Sequence, residues 1–166
     1  MKILYFGGQK SGKSLLAEKR AKELKGDRKP IYLATYDDSF EDREMRERIK
    51  IHQVRRADHF KTVCEPLKLA SSIKEKEIYL IDCLSMWLLN AINAKLSKKE
   101  IFNEIERVLE KDADMIFVIN DVGSGVIPMD RFTRDYVDLS GEIAQTVAAK
   151  CDEVYHVVLG IGKRLK

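Results

Sequence analysis

The chain has 166 residues, of which 45% are apolar and 34% charged, a composition typical of soluble globular proteins. No apolar run approaches the roughly 20 residues that a membrane helix needs, and the N-terminal run is too short for a signal peptide. We therefore expect no membrane insertion and a cytoplasmic location. The net charge of +3, with both signs interleaved, gives no support for nucleic-acid binding. Three widely separated cysteines argue against a disulfide framework or a zinc cluster.

A glycine-rich stretch near the N-terminus fits the phosphate-loop pattern G-x-x-x-x-G-K-[ST] at every fixed position, between a short apolar run and a helical segment. Glycine at Gly7 and Gly12 lets backbone N–H groups turn inward around a polyphosphate, at the positive end of the following helix. Lys13 would supply a mobile charge for the outer phosphates, and the Ser14 hydroxyl a ligand for Mg²⁺. The alternative is a chance glycine turn. The candidate phosphate-binding residues are Gly7, Gly8, Gln9, Lys10, Ser11, Gly12, Lys13 and Ser14.

The rest of the chain alternates between apolar β-rich runs and amphipathic segments, which predicts an α/β fold with a parallel sheet and the ligand at its C-terminal edge. We expect one domain over 1–166 without a linker. The predicted strands cover 3–6, 31–35, 60–63, 78–82, 115–119 and 154–159, and the predicted helices 13–25, 39–56, 66–73, 84–96, 97–111 and 131–150.

Acidic residues follow two of the buried strands. Asp82 closes an apolar run, at the strand end where a carboxylate can hold Mg²⁺ or its water, as in a Walker B element. The alternative is that Asp82 caps the helix beginning near Leu84. Asp121, after the next strand, is a second candidate acid.

His52 lies on one face of the predicted helix 39–56, together with Met45, Ile49 and Arg56. A lone histidine beside apolar residues is more often a structural residue than a catalyst, so the pattern alone leaves both roles open.

The segment 84–96 is unusually apolar and contains Trp87, the only tryptophan. A helix this apolar is either deeply buried or part of a subunit contact, and we expect part of its surface to lie against another subunit.

Several motifs occur in the same order over nearly the whole chain: GGQKSGKS, IYLAT, RIKIH with TVCEP, IDCLSMWLLN, NDVGSGVIP and GIGKRLK. With these motifs in this order, the chain closely resembles the adenosylcobinamide kinase/adenosylcobinamide-phosphate guanylyltransferase family of cobalamin synthesis. The P-loop is unspecific, whereas the acid-Cys-Leu-Ser run with Trp and the Asn-acid-Val-Gly-x-Gly loop are distinctive.

The resemblance implies a P-loop protein of the RecA-like type, assembled as a homotrimer, that uses GTP or ATP with Mg²⁺. It implies phosphorylation of the aminopropanol hydroxyl of adenosylcobinamide, followed by transfer of GMP from GTP through a histidine at the position of His52. Lys13 would serve catalysis, and Ser14 and Asp82 would hold the metal. The remaining nucleotide contacts that the resemblance implies are Ala34, Thr35, Tyr36, Gln53, Val54, Arg55 and Arg56.

The chain departs from the family pattern at four positions. Ile51 precedes His52 where the family often has a second histidine, and Cys64 stands where it has glutamate. Val137 and Ala144 replace a common arginine and asparagine. A kinase-only or other single-activity P-loop enzyme is therefore an alternative. A nucleotide-dependent switch protein is a further one.

Overall fold

The structure, a computed structural model, describes residues 1–26, 28–36 and 58–166. The predicted helix 39–56 lies outside these residues, and with it His52 and the segment from Gln53 to Arg56. In the described part of the chain, no helix is long and apolar enough to cross a membrane.

The described strands and helices follow the predicted order along the chain, with one additional strand near the C-terminus. The strands are β1 (Lys2–Gly7), β2 (Ile31–Ala34), β3 (Lys61–Cys64), β4 (Ile78–Asp82), β5 (Asp114–Asn120), β6 (Glu153–Val158) and β7 (Ile161–Arg164). The helices are α1 (Lys13–Leu24), α2 (Leu69–Ser72), α3 (Leu84–Asn93), α4 (Lys98–Leu109) and α5 (Arg131–Lys150).

The strands form one seven-stranded sheet in the order β3-β2-β4-β5-β1-β6-β7. The neighbours from β3 to β6 are all parallel, which confirms the predicted sheet. The edge strand β7 was not predicted, and it pairs with β6 antiparallel. Its sequence IGKR is short and polar, and the turn before it places Leu159 and Gly160 at φ 53° and 78°. Positive φ at both central residues is the geometry of a tight hairpin, which glycine favours and leucine does not.

Each face of the sheet has its own core. One contains Trp87, Leu88 and Ile105 with residues of α2 to α5, and the other contains Ala17 and Ala21 of α1 beneath Tyr32 and Val118. The sheet is therefore buried on both sides, as a parallel sheet requires.

Trp87 is completely buried within the chain, and its indole N–H donates to the Leu67 carbonyl at 2.9 Å. The chain's own core therefore covers the Trp87 side chain, and the expectation that part of the α3 surface lies against another subunit stays a prediction. Deep burial also explains the apolar composition of α3.

Several helix ends differ from the predicted ones. The predicted helix 66–73 is reduced to α2, because the Glu65 carboxylate accepts hydrogen bonds from the N–H groups of Leu67 and Lys68 and holds a turn there. At the start of α4, Ser97 and Glu100 form a capping box, a pattern that the sequence S-x-x-E predicts. Gly26, which follows the C-cap residue Lys25 of α1, takes the left-handed conformation at φ 54° that glycine favours.

Candidate active site

The phosphate-loop segment connects β1 directly to α1. Gly12 takes a left-handed conformation at φ 96°, and α1 begins at the next residue. The Ser11 N–H donates to the Gly8 carbonyl at 3.2 Å, so the chain turns tightly before the helix. The loop therefore has the backbone shape that presents N–H groups and a helix N-terminus to an anion.

The hairpin between β6 and β7 supports this loop from one side. The Gly160 N–H donates to the Ser11 carbonyl at 2.8 Å. A Cβ at Gly12 would lie 2.9 Å from Cα of Gly160, and one at Gly7 would lie 2.4 Å from the Val157 carbonyl oxygen. Glycine is thus required at these two positions by the neighbouring hairpin as well as by the loop. The sequence pattern does not indicate this contact, because β7 itself is a weak strand signal.

Lys13 is buried at the base of the loop, with 5% of its surface exposed, and its Nζ donates to the Gly8 carbonyl at 3.0 Å. Burial lowers the pKa of this ammonium group, and the nearby Cys83 and Asp82 side chains oppose that shift. The Ser11 hydroxyl is buried and has no hydrogen-bond partner within the described ranges. A buried ammonium group and an unpaired hydroxyl beside inward-facing N–H groups fit an anionic ligand such as a polyphosphate.

Asp82 ends β4 at the same edge of the sheet. Its carboxylate accepts a hydrogen bond from the Tyr32 hydroxyl at 2.9 Å, and β5 separates its strand from β1. Asp82 does not cap the following helix, which was its alternative role. The N-cap residue of α3 is Cys83, and no side-chain hydrogen bond caps the first turn of that helix. Outside residues 27 and 37–57, no group of three or more His, Cys, Asp or Glu residues could hold a metal. Among the described residues, the candidate ligands for a Mg²⁺ ion here are Ser14 and Asp82, together with the oxygens of a bound nucleotide.

Thr35 lies directly behind Asp82 and is completely buried. Its hydroxyl accepts from the Cys83 N–H at 3.0 Å and donates to the Cys83 carbonyl at 2.8 Å. The Asn90 amide donates to the Thr35 carbonyl at 2.7 Å and to Pro66 at 3.2 Å. Cys83 thus uses the donor and one of the two acceptor positions of the Thr35 hydroxyl, and a nucleotide contact by Thr35 stays a prediction. Ala34 and Tyr36, its neighbours, are half-buried at this edge.

Removing the Thr35 hydroxyl tests this arrangement. We expect Thr35→Val to destabilise the fold by about 1–3 kcal/mol, because it leaves the buried Cys83 N–H without its partner at nearly constant volume. Thr35→Ser keeps the hydroxyl and is the matched control. Urea unfolding of the three proteins measures the difference, and equal midpoints for wild type and Thr35→Val would contradict the assignment.

Asp121, the second candidate acid, serves its own loop. Its carboxylate accepts from the N–H groups of Gly123 and Ser124 at 3.2 and 3.1 Å and from the Ser124 hydroxyl at 2.5 Å. Its backbone N–H donates to the Gly7 carbonyl at 2.9 Å. Asp121 therefore shapes the loop beside the phosphate-binding segment, and its carboxylate oxygens are already engaged.

The three cysteines differ sharply in environment. Burial, reinforced by the Asp82 charge, raises the pKa of Cys83 to about 12, and burial raises that of Cys151 to about 12. Cys64 is exposed at the end of β3. Since the thiolate is the reactive form, we expect iodoacetamide at pH 8 to modify Cys64 and to spare the other two. Peptide mass spectrometry measures this, and modification of the half-buried Cys83 in the folded protein would contradict the raised pKa of its thiol.

The structure thus brings the residues from Gly7 to Ser14 together with Asp82. Sequence reasoning missed the residues that support them, which are Tyr32, Asn90 and the hairpin at Gly160. The sequence does contain a sign that Asn90 is important, because it is a polar residue within the apolar segment LSMWLLNAIN.

The fold and the site together define a P-loop NTPase of the RecA-like type. Solved structures with a similar fold include PH0250 from Pyrococcus horikoshii OT3, with a TM-score of 0.54 and 12% identity over 99% of this chain and 85% of that one. The flagellar accessory protein FlaH from Methanocaldococcus jannaschii has a TM-score of 0.51 and 13% identity over 99% and 77%. A further solved structure, an ATPase domain, has a TM-score of 0.50 and 12% identity over 93% of this chain and 68% of that one. At such low identity these similarities concern the fold alone.

Sequence comparison identifies the family. The family model described as CobU, cobinamide kinase / cobinamide phosphate guanyltransferase, matches residues 3–165, and the chain belongs to this family. The bifunctional adenosylcobalamin biosynthesis protein CobP of Pseudomonas aeruginosa is 36% identical over 174 residues, covering 100% of this chain and 98% of that protein. The bifunctional adenosylcobalamin biosynthesis protein CobU of Escherichia coli K12 is 30% identical over 187 residues, covering 100% of both. The expected family is confirmed.

Proposed function

We propose that this chain, as one domain, phosphorylates adenosylcobinamide and then transfers GMP from GTP to adenosylcobinamide phosphate through a guanylylated His52. The observation that carries the proposal is the phosphate-loop geometry around the buried Lys13, beside Asp82, in a chain that matches the family over residues 3–165. We also propose a cytoplasmic homotrimer, by analogy with the family.

The described residues have distinct tasks in the kinase step. The N–H groups of the loop from Gly7 to Ser14 bind the phosphates, and Lys13 stabilises the charge that develops on them during transfer. Ser14 and Asp82 would hold Mg²⁺, which neutralises phosphate charge when it is bound. The Tyr32 hydroxyl and the Thr35–Cys83 hydrogen bonds keep Asp82 at the sheet edge.

The guanylyl step needs a nucleophile, and the proposal assigns it to His52. A neutral imidazole nitrogen attacks the α-phosphorus of GTP, the N–P bond forms, the P–O bond to pyrophosphate breaks, and the ring N–H proton is released to solvent. Attack by the cobinamide phosphate oxygen on this phosphorus then breaks the N–P bond, and the released ring nitrogen takes up a proton from solvent to regenerate neutral imidazole. Ala34, Thr35, Tyr36 and the segment from Gln53 to Arg56 would contact the rest of the nucleotide.

The direct test is incubation of the protein with adenosylcobinamide, Mg²⁺ and GTP or ATP, followed by mass spectrometry of the corrinoid. The proposal expects adenosylcobinamide phosphate with either a GTP or ATP donor, and adenosylcobinamide-GDP with release of pyrophosphate when GTP is present. The phosphate product alone would identify a kinase-only enzyme. Neither product, with nucleotide-dependent binding of a partner, would identify a switch protein.

A further inference from the structure

The loop after β5 and the first half of α5 enclose an open groove of about 310 Å³. Its walls are mostly apolar and come from Val122, Val126, Ile127, Pro128 and Val137. Two charged side chains, Arg134 and Asp138, also line it, one turn apart on α5. The groove is distinct from the phosphate loop but is built on a neighbouring strand.

The position of the groove relative to the phosphate loop follows from the sheet. β5 pairs with β1 so that Asn120 lies opposite Gly7, and the Asp121 N–H donates to the Gly7 carbonyl at 2.9 Å. The groove therefore begins two residues beyond a strand end that is hydrogen-bonded to the loop. A phosphoryl acceptor must reach the terminal phosphate held by that loop, so its binding surface has to adjoin it.

The groove is held open by contacts on both sides. The Arg134 guanidinium donates to the carbonyls of Pro128 and Met129 at 3.0 and 2.5 Å, which ties the end of the loop to α5. Asp121 fixes the beginning of the loop through the N–H groups of Gly123 and Ser124. The walls are thus preformed, as small-molecule sites usually are.

The exposed side chains of the loop indicate what the groove accepts. Val126, Ile127 and Met129 are 95%, 79% and 98% exposed, an unusual concentration of apolar surface for so short a segment. The Asp138 carboxylate is exposed and accepts no hydrogen bond from any described residue. A corrinoid offers the complementary chemistry, because its ring is broad and apolar and its rim carries primary amides that donate hydrogen bonds.

We propose that this groove between the Val122–Pro128 loop and α5 binds the corrinoid acceptor, with the loop against the ring and Asp138 accepting from a side-chain amide. The inference rests on the proposed function, since it assigns a surface to the acceptor of that reaction. It gives the substrate's phosphorylated arm a direct route to the phosphate loop across the end of β5.

The test compares kinase kinetics of Ile127→Asp and Asp138→Ala with wild type, using adenosylcobinamide and nucleotide as separately varied substrates. Ile127→Asp places a charge on the apolar wall, and Asp138→Ala removes the acceptor while altering only an exposed residue. We expect each to raise KM for adenosylcobinamide by about tenfold or more, and to leave KM for the nucleotide within about twofold. Leu165→Asp, at an apolar side chain that is 62% exposed elsewhere, is the matched control and should behave as wild type.

The outcomes separate the possible failures. An active wild type with an unchanged adenosylcobinamide KM in both variants would overturn the groove assignment alone. Dissociation of an oligomer by Ile127→Asp in light scattering, without an effect on that KM, would identify the loop as a contact between copies of the chain and also overturn it. A wild type that does not phosphorylate adenosylcobinamide would overturn the proposed function, and the groove assignment with it.

Discussion

The Lys13→Ala variant is expected to catalyse every nucleotide-dependent reaction about 100-fold or more slowly than wild type. Removing one preorganised charge that stabilises a transition state lowers the rate by about this factor. The ammonium group lies at the base of the phosphate loop, 3.0 Å from the Gly8 carbonyl, and belongs to the same electrostatic cluster as Asp82. Steady-state assays of phosphoryl transfer and of pyrophosphate release measure the loss.

The stability of this variant should not fall with its activity. Burial lowers the Lys13 pKa, which means that the fold disfavours the charged form, so alanine removes a buried charge. We expect a melting temperature equal to or above that of wild type. Lys19→Ala is the control, because Lys19 is exposed on the same helix. Near-normal turnover in Lys13→Ala would refute the role of the phosphate loop.

The second large effect concerns the covalent step. Incubation of the wild type with α-labelled GTP and Mg²⁺ should attach one GMP per chain, and His52→Asn should abolish the label because it removes the nucleophilic nitrogen. Nucleotide binding should remain within a few-fold, since the phosphate loop supplies most of it. Mass analysis after denaturation and calorimetric titration measure the two quantities separately.

The chemistry of the bond gives an independent check. A phosphoramidate is cleaved in acid, because protonation makes the ring nitrogen a better leaving group, and it survives in alkali. His59→Asn is the control, because His59 lies in an exposed turn before β3 and outside any helix. His59→Asn should therefore label normally. Loss of the label in His59→Asn and its retention in His52→Asn would move the nucleophile and refute our assignment.

The phosphate loop, the strand ends and the capping box at Ser97 could be predicted from the sequence because each depends on local stereochemistry. Gly12 must take a positive φ, an apolar run must be buried, and Ser97 with Glu100 satisfies the first N–H groups of a helix. The order of motifs along the chain also identified the family, which the full-length match confirms. Because the sequence predictions rest on local patterns, they gave the wrong bounds for α2 and missed β7. A turn held by Glu65 and a short polar edge strand give no periodic signal.

Contacts between distant segments were decided by the tertiary structure alone. Nothing near Thr35 in the sequence indicates that its hydroxyl bonds to Cys83, 48 residues away, or that Asn90 lies behind both. The apolar character of Trp87 fits either a core position or a subunit contact, and only its burial in the folded chain shows that it belongs to the core.

By itself the sequence determined which residues form the phosphate loop and where the strands run, because those features follow from backbone sterics and hydrophobic periodicity. The support of the loop by the Gly160 hairpin, the anchoring of Asp82 and the groove beside α5 depend on the order and register of the strands, which no local pattern specifies.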